Sequence, residues 1–268
     1  MNRLLKVTAV AAASGKKLFC AFTTLGYPSV RKTEQLVMAF EKEGVDIVEL
    51  GFPFSDPLAD GPTIQFSSEQ ALAAGATLKS AFDLAKKLRK NGCEVPLVFF
   101  TYFNPVFHHG CKKFLKEARE AGFDAILVPD LPPDQEEGFR AEAAAQGLPV
   151  IFLIAPTSDS ARTRMIAQES QGFIYYVSLR GVTGARQALP SEIRRHLKEI
   201  KKATNKPVLV GFGVSKPEQA RSLSQWSDGV IVGSAIIDRI RKANGRIEPA
   251  VSFIREMVRA VKGAPGGR

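Results

Sequence analysis

The feature that most constrains the fold is a regular alternation of short apolar runs with amphipathic segments along the 268-residue chain. Eight runs, rich in β-branched and aromatic residues, have the length of single strands. Because they are almost continuously apolar, they are typical of strands buried on both faces of a parallel sheet. The runs are LFCAFTTLG (18–26), VDIVELGF (45–52), PLVFFTY (96–102), DAILVPD (124–130), LPVIFLIAP (148–156), FIYYVS (173–178), PVLVGFG (207–213) and DGVIVGS (228–234).

The segments between the runs read as helices. Examples are VRKTEQLVMAFEKEG, KKFLKEAREAG, DSARTRMIAQES and EIRRHLKEIKKAT, and several such segments end at a glycine, at Gly44, Gly92, Gly122 and Gly147. Eight β-α units in about 250 residues match a (β/α)8 barrel. We predict an α/β fold, a single TIM-barrel domain over residues 1–268 with an extra N-terminal helix. An open doubly wound sheet is the alternative, but TTLGYP, after the first strand, is no G-x-G-x-x-G fingerprint.

Composition argues against several other classes of protein. The net charge of +10 raises the possibility of nucleic-acid binding. The basic clusters, however, lie on or beside predicted helices without interleaved aromatic residues, which is typical of solvated helix faces. No apolar run is long enough for a membrane span. The unpatterned cysteines Cys20, Cys93 and Cys111 indicate free thiols, and we expect a cytoplasmic protein.

The N-terminus has the features of a weak signal peptide, with an early arginine, an apolar patch and small residues. Lys6 interrupts the patch and leaves its apolar part too short. We therefore predict an amphipathic first helix with Leu4 and Leu5 on one face.

Glu49 is the first candidate for chemistry, because it ends the second predicted strand, where barrel active sites lie. Side chains alternate along a strand, so Val48 and Leu50 face the helices while Ile47, Glu49 and Gly51 face the barrel interior. A carboxyl group there loses hydration, which raises its pKa toward neutrality. A structural ion pair is the other interpretation, but no predicted strand carries a lysine or arginine near its C-terminal end.

Glycine-rich loops follow three late strands, and in barrels such loops often bind phosphate. Each glycine could also serve only a tight turn, but three such loops together favour a phosphorylated substrate. Ser234 could cap the helix that begins AIIDRI. The loops are RGVTGA (180–185), GFGVSK (211–216) and GSAIID (233–238), with Gly211, Gly213 and Gly233 at strand ends.

Two common barrel chemistries lack their residues. A Schiff-base aldolase needs a lysine at a strand end, and the nearest lysines, Lys17, Lys206 and Lys216, lie before strands or at helix caps. A metal aldolase needs clustered ligands, and the histidines His108, His109 and His196 are better explained as surface or satisfied core residues. Acid/base catalysis by Glu49 and an aspartate, with no metal and no cofactor in this chain, is what remains.

The segment VELGFPFSDPLADGPTIQ (48–65) resembles the signature of the tryptophan synthase alpha chain family. The resemblance extends over nearly the whole chain, through TTLGYP (23–28), TYFNPVF (101–107), VPDLPP (128–133), YYVSLRGVTGAR (175–186), LVGFGVSKPEQ (209–219) and DGVIVGSAI (228–236). It implies retro-aldol cleavage of indole-3-glycerol phosphate to indole and glyceraldehyde 3-phosphate. It also implies that Glu49 and Asp60 are the catalytic carboxylates, with the pKa of Glu49 high and that of Asp60 low.

Other roles are implied by the same resemblance. Thr183 lies in a loop that closes over the site and meets Asp60. The indole pocket would be lined by Phe22, Ile64, Phe100, Leu127, Leu153, Tyr175 and Phe212. The phosphate would be held by Gly184, Gly213, Gly233 and Ser234.

The resemblance further implies an α2β2 heterotetramer with a beta chain that carries pyridoxal phosphate and receives the indole. Bulky apolar side chains in the stiff loop after Glu49 are then explained as part of a docking surface. The implied contact residues are Phe54, Asp56, Pro57, Asn104, Phe107 and Pro132.

Three features depart from the family pattern: Leu25 and Phe100 are bulkier than usual, and the positive charge is unusual. The alternatives left open are another phosphate-binding barrel lyase and a catalytically weak alpha chain that mainly activates its partner.

Overall fold

The computed structural model describes residues 2–135, 137–177, 190–211 and 213–263. Within them, parallel strands form one sheet in the order β5-β4-β3-β2-β1-β9-β8-β7-β6. Each of the eight predicted runs contains a strand, which confirms the alternation seen in the sequence. The strands are β1 (Leu18–Thr24), β2 (Ile47–Gly51), β3 (Leu97–Phe100), β4 (Ala125–Leu127), β5 (Val150–Ile151), β6 (Leu153–Ile154), β7 (Ile174–Val177), β8 (Val208–Gly211) and β9 (Gly229–Val232).

The fifth predicted run is divided into two short strands at Phe152. β5 pairs with β4 and β6 pairs with β7, so the two halves of one segment join the ends of the sheet and close the barrel. Between them, the N–H of Phe152 donates to the hydroxyl of Ser170 at 3.0 Å. The nearly closed parallel sheet confirms the (β/α)8 barrel, and the doubly wound alternative is wrong.

The side chains of the strands form two separate apolar layers. Residues such as Val48 and Leu50 pack outward against the helices. Residues such as Cys20, Phe22 and Ile47 pack together inside the barrel. The alternation predicted for β2 is therefore confirmed, with Glu49 on the inner side of the strand.

The helices surround the barrel, and several of them begin at a side-chain N-cap or end at a glycine. Ser29 accepts a hydrogen bond from Lys32 N–H at the start of α2, and Asp159 accepts one from Arg162 N–H at the start of α8. The glycines predicted to end helices all have positive φ, at Gly44, Gly92, Gly122 and Gly147. The helices are α1 (Arg3–Ser14), α2 (Val30–Lys42), α3 (Pro62–Ala73), α4 (Leu78–Lys90), α5 (Phe103–His109), α6 (Cys111–Ala121), α7 (Glu137–Ala145), α8 (Ser160–Glu169), α9 (Pro190–Ala203), α10 (Pro217–Ser224), α11 (Ser234–Lys242) and α12 (Glu248–Lys262).

Helix α1 covers the N-terminal end of the barrel. Leu4 and Ala11 belong to the interior layer, and the Asn2 amide donates to the carbonyl of Asp124, just before β4, at 2.8 Å. The first helix is present as predicted, but of the two leucines expected on one face only Leu4 is fully buried, whereas Leu5 is exposed. No helix in the described ranges is both long enough and apolar enough to span a membrane.

Candidate active site at the mouth of the barrel

Glu49 lies at the C-terminal end of β2, inside the barrel. It is registered with Phe22 on β1 and with Val98 on β3, and its side chain is fully buried. Neither carboxylate oxygen has a hydrogen-bond partner of ordinary geometry among the described residues. Burial raises the pKa of Glu49 to about 8, opposed by contact with the Cys20 thiol. An isolated buried carboxyl of this kind is suited to exchange protons near neutral pH.

Aromatic rings lie next to Glu49 in the interior layer of the barrel. Phe22 and Phe100 pack edge to face, with ring centroids 5.5 Å apart. Leu127 is registered with Phe100, and Leu153 with Tyr175. Ile64, from α3, packs against the same interior layer. The structure therefore brings six of the predicted indole-pocket residues together.

Two strand-end glycines leave room for these rings. A Cβ atom on Gly51 would lie 2.4 Å from Cζ of Phe22, and one on Gly211 would lie 2.5 Å from the hydroxyl of Tyr175. Both distances are far below van der Waals contact, so any side chain at either position would displace a ring. The positions of the Phe22 and Tyr175 rings therefore depend on the absence of a side chain at Gly51 and Gly211.

Asp60 lies in the loop between β2 and α3, and it is also buried. Its backbone carbonyl accepts a hydrogen bond from the Gln65 amide at 2.9 Å. Burial raises the pKa of Asp60 to about 6, opposed by a hydrogen bond from the Tyr102 hydroxyl. The expectation of a low pKa for Asp60 is therefore wrong, because the loop folds over the carboxyl and removes most of its hydration. Its pKa nevertheless lies below that of Glu49.

The phenol of Tyr175 interacts electrostatically with both carboxyl groups. Burial raises the pKa of its phenol well above the usual value, and the charges of Glu49, Cys20 and Asp60 raise it further. Because Coulombic effects weaken with distance, both carboxyl groups lie close enough to act on the same phenol. Two acids with different pKa values therefore act on one buried phenol, an arrangement suited to acid/base catalysis.

The predicted phosphate end of the pocket is described in part. Gly213 has a φ of +79°, a conformation that favours glycine. Helix α11 begins at Ser234, with Gly233 as its N-cap and no side-chain capping bond. The expectation that Ser234 caps this helix is wrong, because Ser234 is the first helical residue and Gly233 occupies the N-cap position. The helix N-terminus, with backbone N–H groups that have no partner within the helix, remains suited to an anion.

Three predicted site residues, Thr183, Gly184 and Phe212, lie outside the described residues.

The predicted partner residues lie on three segments that contact one another. Phe54 packs on the Tyr102 ring, with centroids 5.4 Å apart, and the Asp130 carboxylate accepts a hydrogen bond from Phe103 N–H at 2.9 Å. These contacts join the loop after β2, helix α5 and the segment after β4. Asp56 and Asn104 are exposed, and Pro57 and Pro132 are half-buried.

The exposure of the apolar side chains differs from the expectation. Phe52 and Phe54 are half-buried against Phe99 and Tyr102, so they mainly hold the loop in place. Leu58 and Phe107 carry the exposed apolar surface, with 82% and 68% of their area accessible. Large side chains this exposed are typical of contact surfaces.

The histidines have the surface or core roles predicted for them. His109 lies 2.8 Å from the Glu117 carboxylate, and Nδ1 of His196 lies 2.8 Å from the Tyr176 hydroxyl. His108 is exposed on α5. In the described part of the chain, no group of three or more His, Cys, Asp or Glu side chains could hold a metal ion.

Sequence reasoning missed two residues that touch the carboxyl groups, Cys20 and Tyr102. Cys20 lies two positions before Phe22 on β1, so the alternation that turns Phe22 inward also turns Cys20 inward. Tyr102 lies two residues after the end of β3, within the quoted motif TYFNPVF. Both signals were present in the sequence, but neither residue type is a usual catalytic acid or base at such a position.

Comparison with known proteins identifies the family. The family model described as "Tryptophan synthase alpha chain" matches residues 8–264. The tryptophan synthase alpha chain of Geobacter sp. (strain M21) is 46% identical, over 91% of each chain. That of Geotalea uraniireducens (strain Rf4) is 44% identical, over 98% of this chain and 100% of the relative.

Solved structures agree with the sequence comparison. The crystal structure of tryptophan synthase subunit alpha from Legionella pneumophila str. Paris has a TM-score of 0.90 at 31% identity, over 98% of this chain and 100% of that one. A structure of Mycobacterium tuberculosis tryptophan synthase has a TM-score of 0.89 at 32% identity, over 98% and 99% of the two chains. The chain belongs to the tryptophan synthase alpha chain family, whose members cleave indole-3-glycerol phosphate.

Proposed function

We propose that Glu49 is the general acid and base of indole-3-glycerol phosphate cleavage in this chain, and that Asp60 stabilises the reacting indole ring. The observation that carries this proposal is the burial of Glu49 beside packed aromatic side chains, with no ion-pair partner in the described ranges. With a pKa of about 8, Glu49 is mostly protonated at pH 7. It can therefore donate a proton to bound substrate.

The chemistry needs a place for the electrons of the breaking bond. The protonated Glu49 donates its proton to C3 of the indole, which turns the ring into an indolenine cation. The bond from C3 to the glycerol carbon then breaks, and its electron pair returns to the ring. The proton of the adjacent glycerol hydroxyl passes to the Glu49 carboxylate as the aldehyde forms. The products are indole and glyceraldehyde 3-phosphate, and Glu49 is again protonated.

Asp60 would act through its negative charge. A pKa of about 6 leaves it mostly ionised at pH 7. The carboxylate would accept a hydrogen bond from the indole N–H and stabilise the positive charge that develops on the ring nitrogen. The difference in pKa between the two acids supports this division of roles.

The remaining site residues would bind and enclose the substrate. The rings of Phe22, Phe100 and Tyr175 are suited to contact both faces and the edge of a planar indole. Gly213, Gly233 and Ser234, with Gly184, would hold the phosphate at the helix N-terminus. Thr183 would contact Asp60 when its loop closes.

We also propose that the contiguous surface carrying Asp56, Leu58, Asn104 and Phe107 docks a beta chain in an α2β2 heterotetramer. The beta chain would carry pyridoxal phosphate and consume the indole. The backbone N–H of the loop residue Ala59 donates a hydrogen bond to the Tyr102 hydroxyl. A displacement of this surface by a beta chain would therefore also move the adjacent residue, Asp60. We expect Asp56→Ala to weaken activation by a beta chain while indole affinity stays nearly unchanged. Equal activation of variant and parent at saturating beta chain would refute the role of Asp56.

The catalytic proposal is tested with indole-3-glycerol phosphate and the purified chain, with and without a beta chain, by following glyceraldehyde 3-phosphate. Glu49→Gln and Asp60→Asn should each lower kcat by roughly 10²- to 10⁴-fold. Glu120→Gln, an exposed carboxyl on α6, is the matched control and should keep the parent rate. A Glu49→Gln variant with the parent rate would overturn the mechanism.

A further inference from the structure

Cys20 shares the interior layer of the barrel with the strand-end residues around Glu49, and its thiol opposes the rise in the pKa of that carboxyl. Cys20 lies on β1, registered with Ile47 on β2 and Ile231 on β9. Its side chain is fully buried in the interior layer, one step deeper in the barrel than Phe22 and Glu49. The thiol therefore lies beneath the carboxyl, on the side away from the pocket.

We propose that the Cys20 thiol is a positioning group for Glu49, which donates S–H to the carboxylate when that carboxylate has given its proton to the substrate. This inference rests on the proposed catalytic role of Glu49. Three observations support it: the shared inner face, the full burial of both side chains, and the absence of any hydrogen-bond partner of ordinary geometry for either carboxylate oxygen in the described ranges, which leaves the carboxyl in need of a donor once it ionises.

The properties of a thiol suit this task. Burial and the nearby Glu49 charge raise the pKa of Cys20 well above its usual value, so the thiol keeps its proton and stays a donor. An S–H group is a weak donor, so it stabilises the transient carboxylate only modestly. A hydroxyl in its place would stabilise the carboxylate more strongly and would make Glu49 a weaker base. Cys20 would thus keep the pKa of Glu49 in a range in which the same carboxyl group can donate a proton and then accept one within a single catalytic cycle.

The test compares Cys20→Ser with Cys20→Ala and Cys20→Val. Serine and alanine lose similar volume, but only serine keeps a donor, while valine fills the space without one. Glu49 acts in its protonated form, so kcat/KM falls as pH rises through its pKa. We expect this alkaline limb to move down by roughly half a unit to one unit of pH in Cys20→Ser, and up by a similar amount in Cys20→Ala and Cys20→Val.

A second readout does not need activity. Infrared titration of the protonated Glu49 carboxyl, assigned by its loss in Glu49→Gln, should show the same opposite shifts in the ligand-free proteins. Cys93→Ser and Cys93→Ala, at a buried thiol in the outer layer, are the matched controls and should leave both readouts unchanged. If Cys20→Ser does not fold, upward shifts in both donor-free variants support the proposal.

The outcomes separate the two proposals. Shifts in the same direction for serine and alanine, or no shift in any variant, would overturn the role of Cys20 and leave that of Glu49 intact. Parent activity in Glu49→Gln would overturn the catalytic role of Glu49, whatever the cysteine variants show.

Discussion

The hydroxyl of Tyr102 accepts a hydrogen bond from the backbone N–H of Ala59 at 3.0 Å, and it donates one to the Asp60 carboxyl. One side chain at the end of β3 thus holds both the backbone and the acidic group of the loop after β2. Tyr102 is almost fully buried and also packs on Phe54. The position of Asp60 therefore depends on a residue from a neighbouring strand.

Tyr102→Phe keeps the ring contacts and removes the hydroxyl, so it tests this dependence. We expect kcat/KM for indole-3-glycerol phosphate to fall about tenfold, because the Ala59 N–H and Asp60 lose a shared partner. Loss of the donor also raises the pKa of Asp60, so activity should begin at higher pH. Tyr176→Phe removes a buried hydroxyl outside the barrel, next to His196 at 2.8 Å, and should leave the pH profile unchanged. Identical profiles for Tyr102→Phe and the parent would contradict the link.

The two carboxyl groups predict a bell-shaped pH dependence of kcat/KM. In the proposed mechanism Asp60 acts ionised, so activity should rise as pH increases through its pKa of about 6. Glu49 is proposed to act protonated, so activity should fall as pH increases through its pKa of about 8. The optimum therefore lies between these values. Steady-state rates from about pH 5 to pH 10 check this, and activity that keeps rising above about pH 9 would exclude Glu49 as the acid.

Burial of Glu49 also predicts a pH dependence of stability. The folded-state pKa of about 8 lies above the unfolded value near 4.3. Between these values the folded chain keeps a proton that the unfolded chain has released, so the free energy of unfolding falls as pH rises. The limiting slope is about 1.4 kcal/mol per pH unit.

Glu49→Gln removes this slope. Its stability relative to the parent should increase from about pH 5 to pH 8 and then level off. Urea unfolding at several pH values measures the difference, with Glu120→Gln as the exposed control that follows the parent. A constant difference across this range would mean that Glu49 is ionised in the folded chain.

Leu58 offers a direct test of the docking surface, because 82% of its area is exposed. Leu58→Ser should weaken the complex with a beta chain, since an apolar contact at an interface is replaced by a solvated hydroxyl. Val10→Ser, at an exposed apolar position on α1 at the opposite end of the barrel, is the matched control. Titration calorimetry with a beta chain gives both affinities, and equal affinities would remove Leu58 from the interface.

Much of the barrel was predictable, because parallel strands that are buried on both faces consist of nearly continuous apolar runs. The alternation of side chains along β2 was enough to place Glu49 inside the barrel. The break at Phe152 was not predictable, since it depends on a hydrogen bond from Phe152 N–H to the Ser170 side chain 18 residues later. An unbroken apolar run gives no sign of such a tertiary contact.

The surroundings that set the pKa values of Asp60 and Glu49 could not be predicted from the sequence either. A loop aspartate reads as solvated, yet Asp60 is buried because Tyr102 draws the loop inward. Cys20 reads as a plain core residue until the register of β1 and β2 places it opposite Ile47, on the same inner face as Glu49 two residues further along β2. In both cases the sequence contains the residues, and only the folded geometry determines which groups act on each other's protonation.

Helix α1, with Leu4 and Ala11 in the interior layer, seals the floor of the barrel. Among the described residues, this floor leaves the opposite end of the barrel as the route by which solvent would reach Glu49, through the opening that the proposed substrate would fill. In the proposed mechanism, the hydrogen lost to the ring would then be replaced by the one leaving the glycerol arm, without bulk hydronium or hydroxide. The proposed catalytic cycle would be a closed proton circuit between enzyme and substrate, which needs no relay of water molecules through the protein.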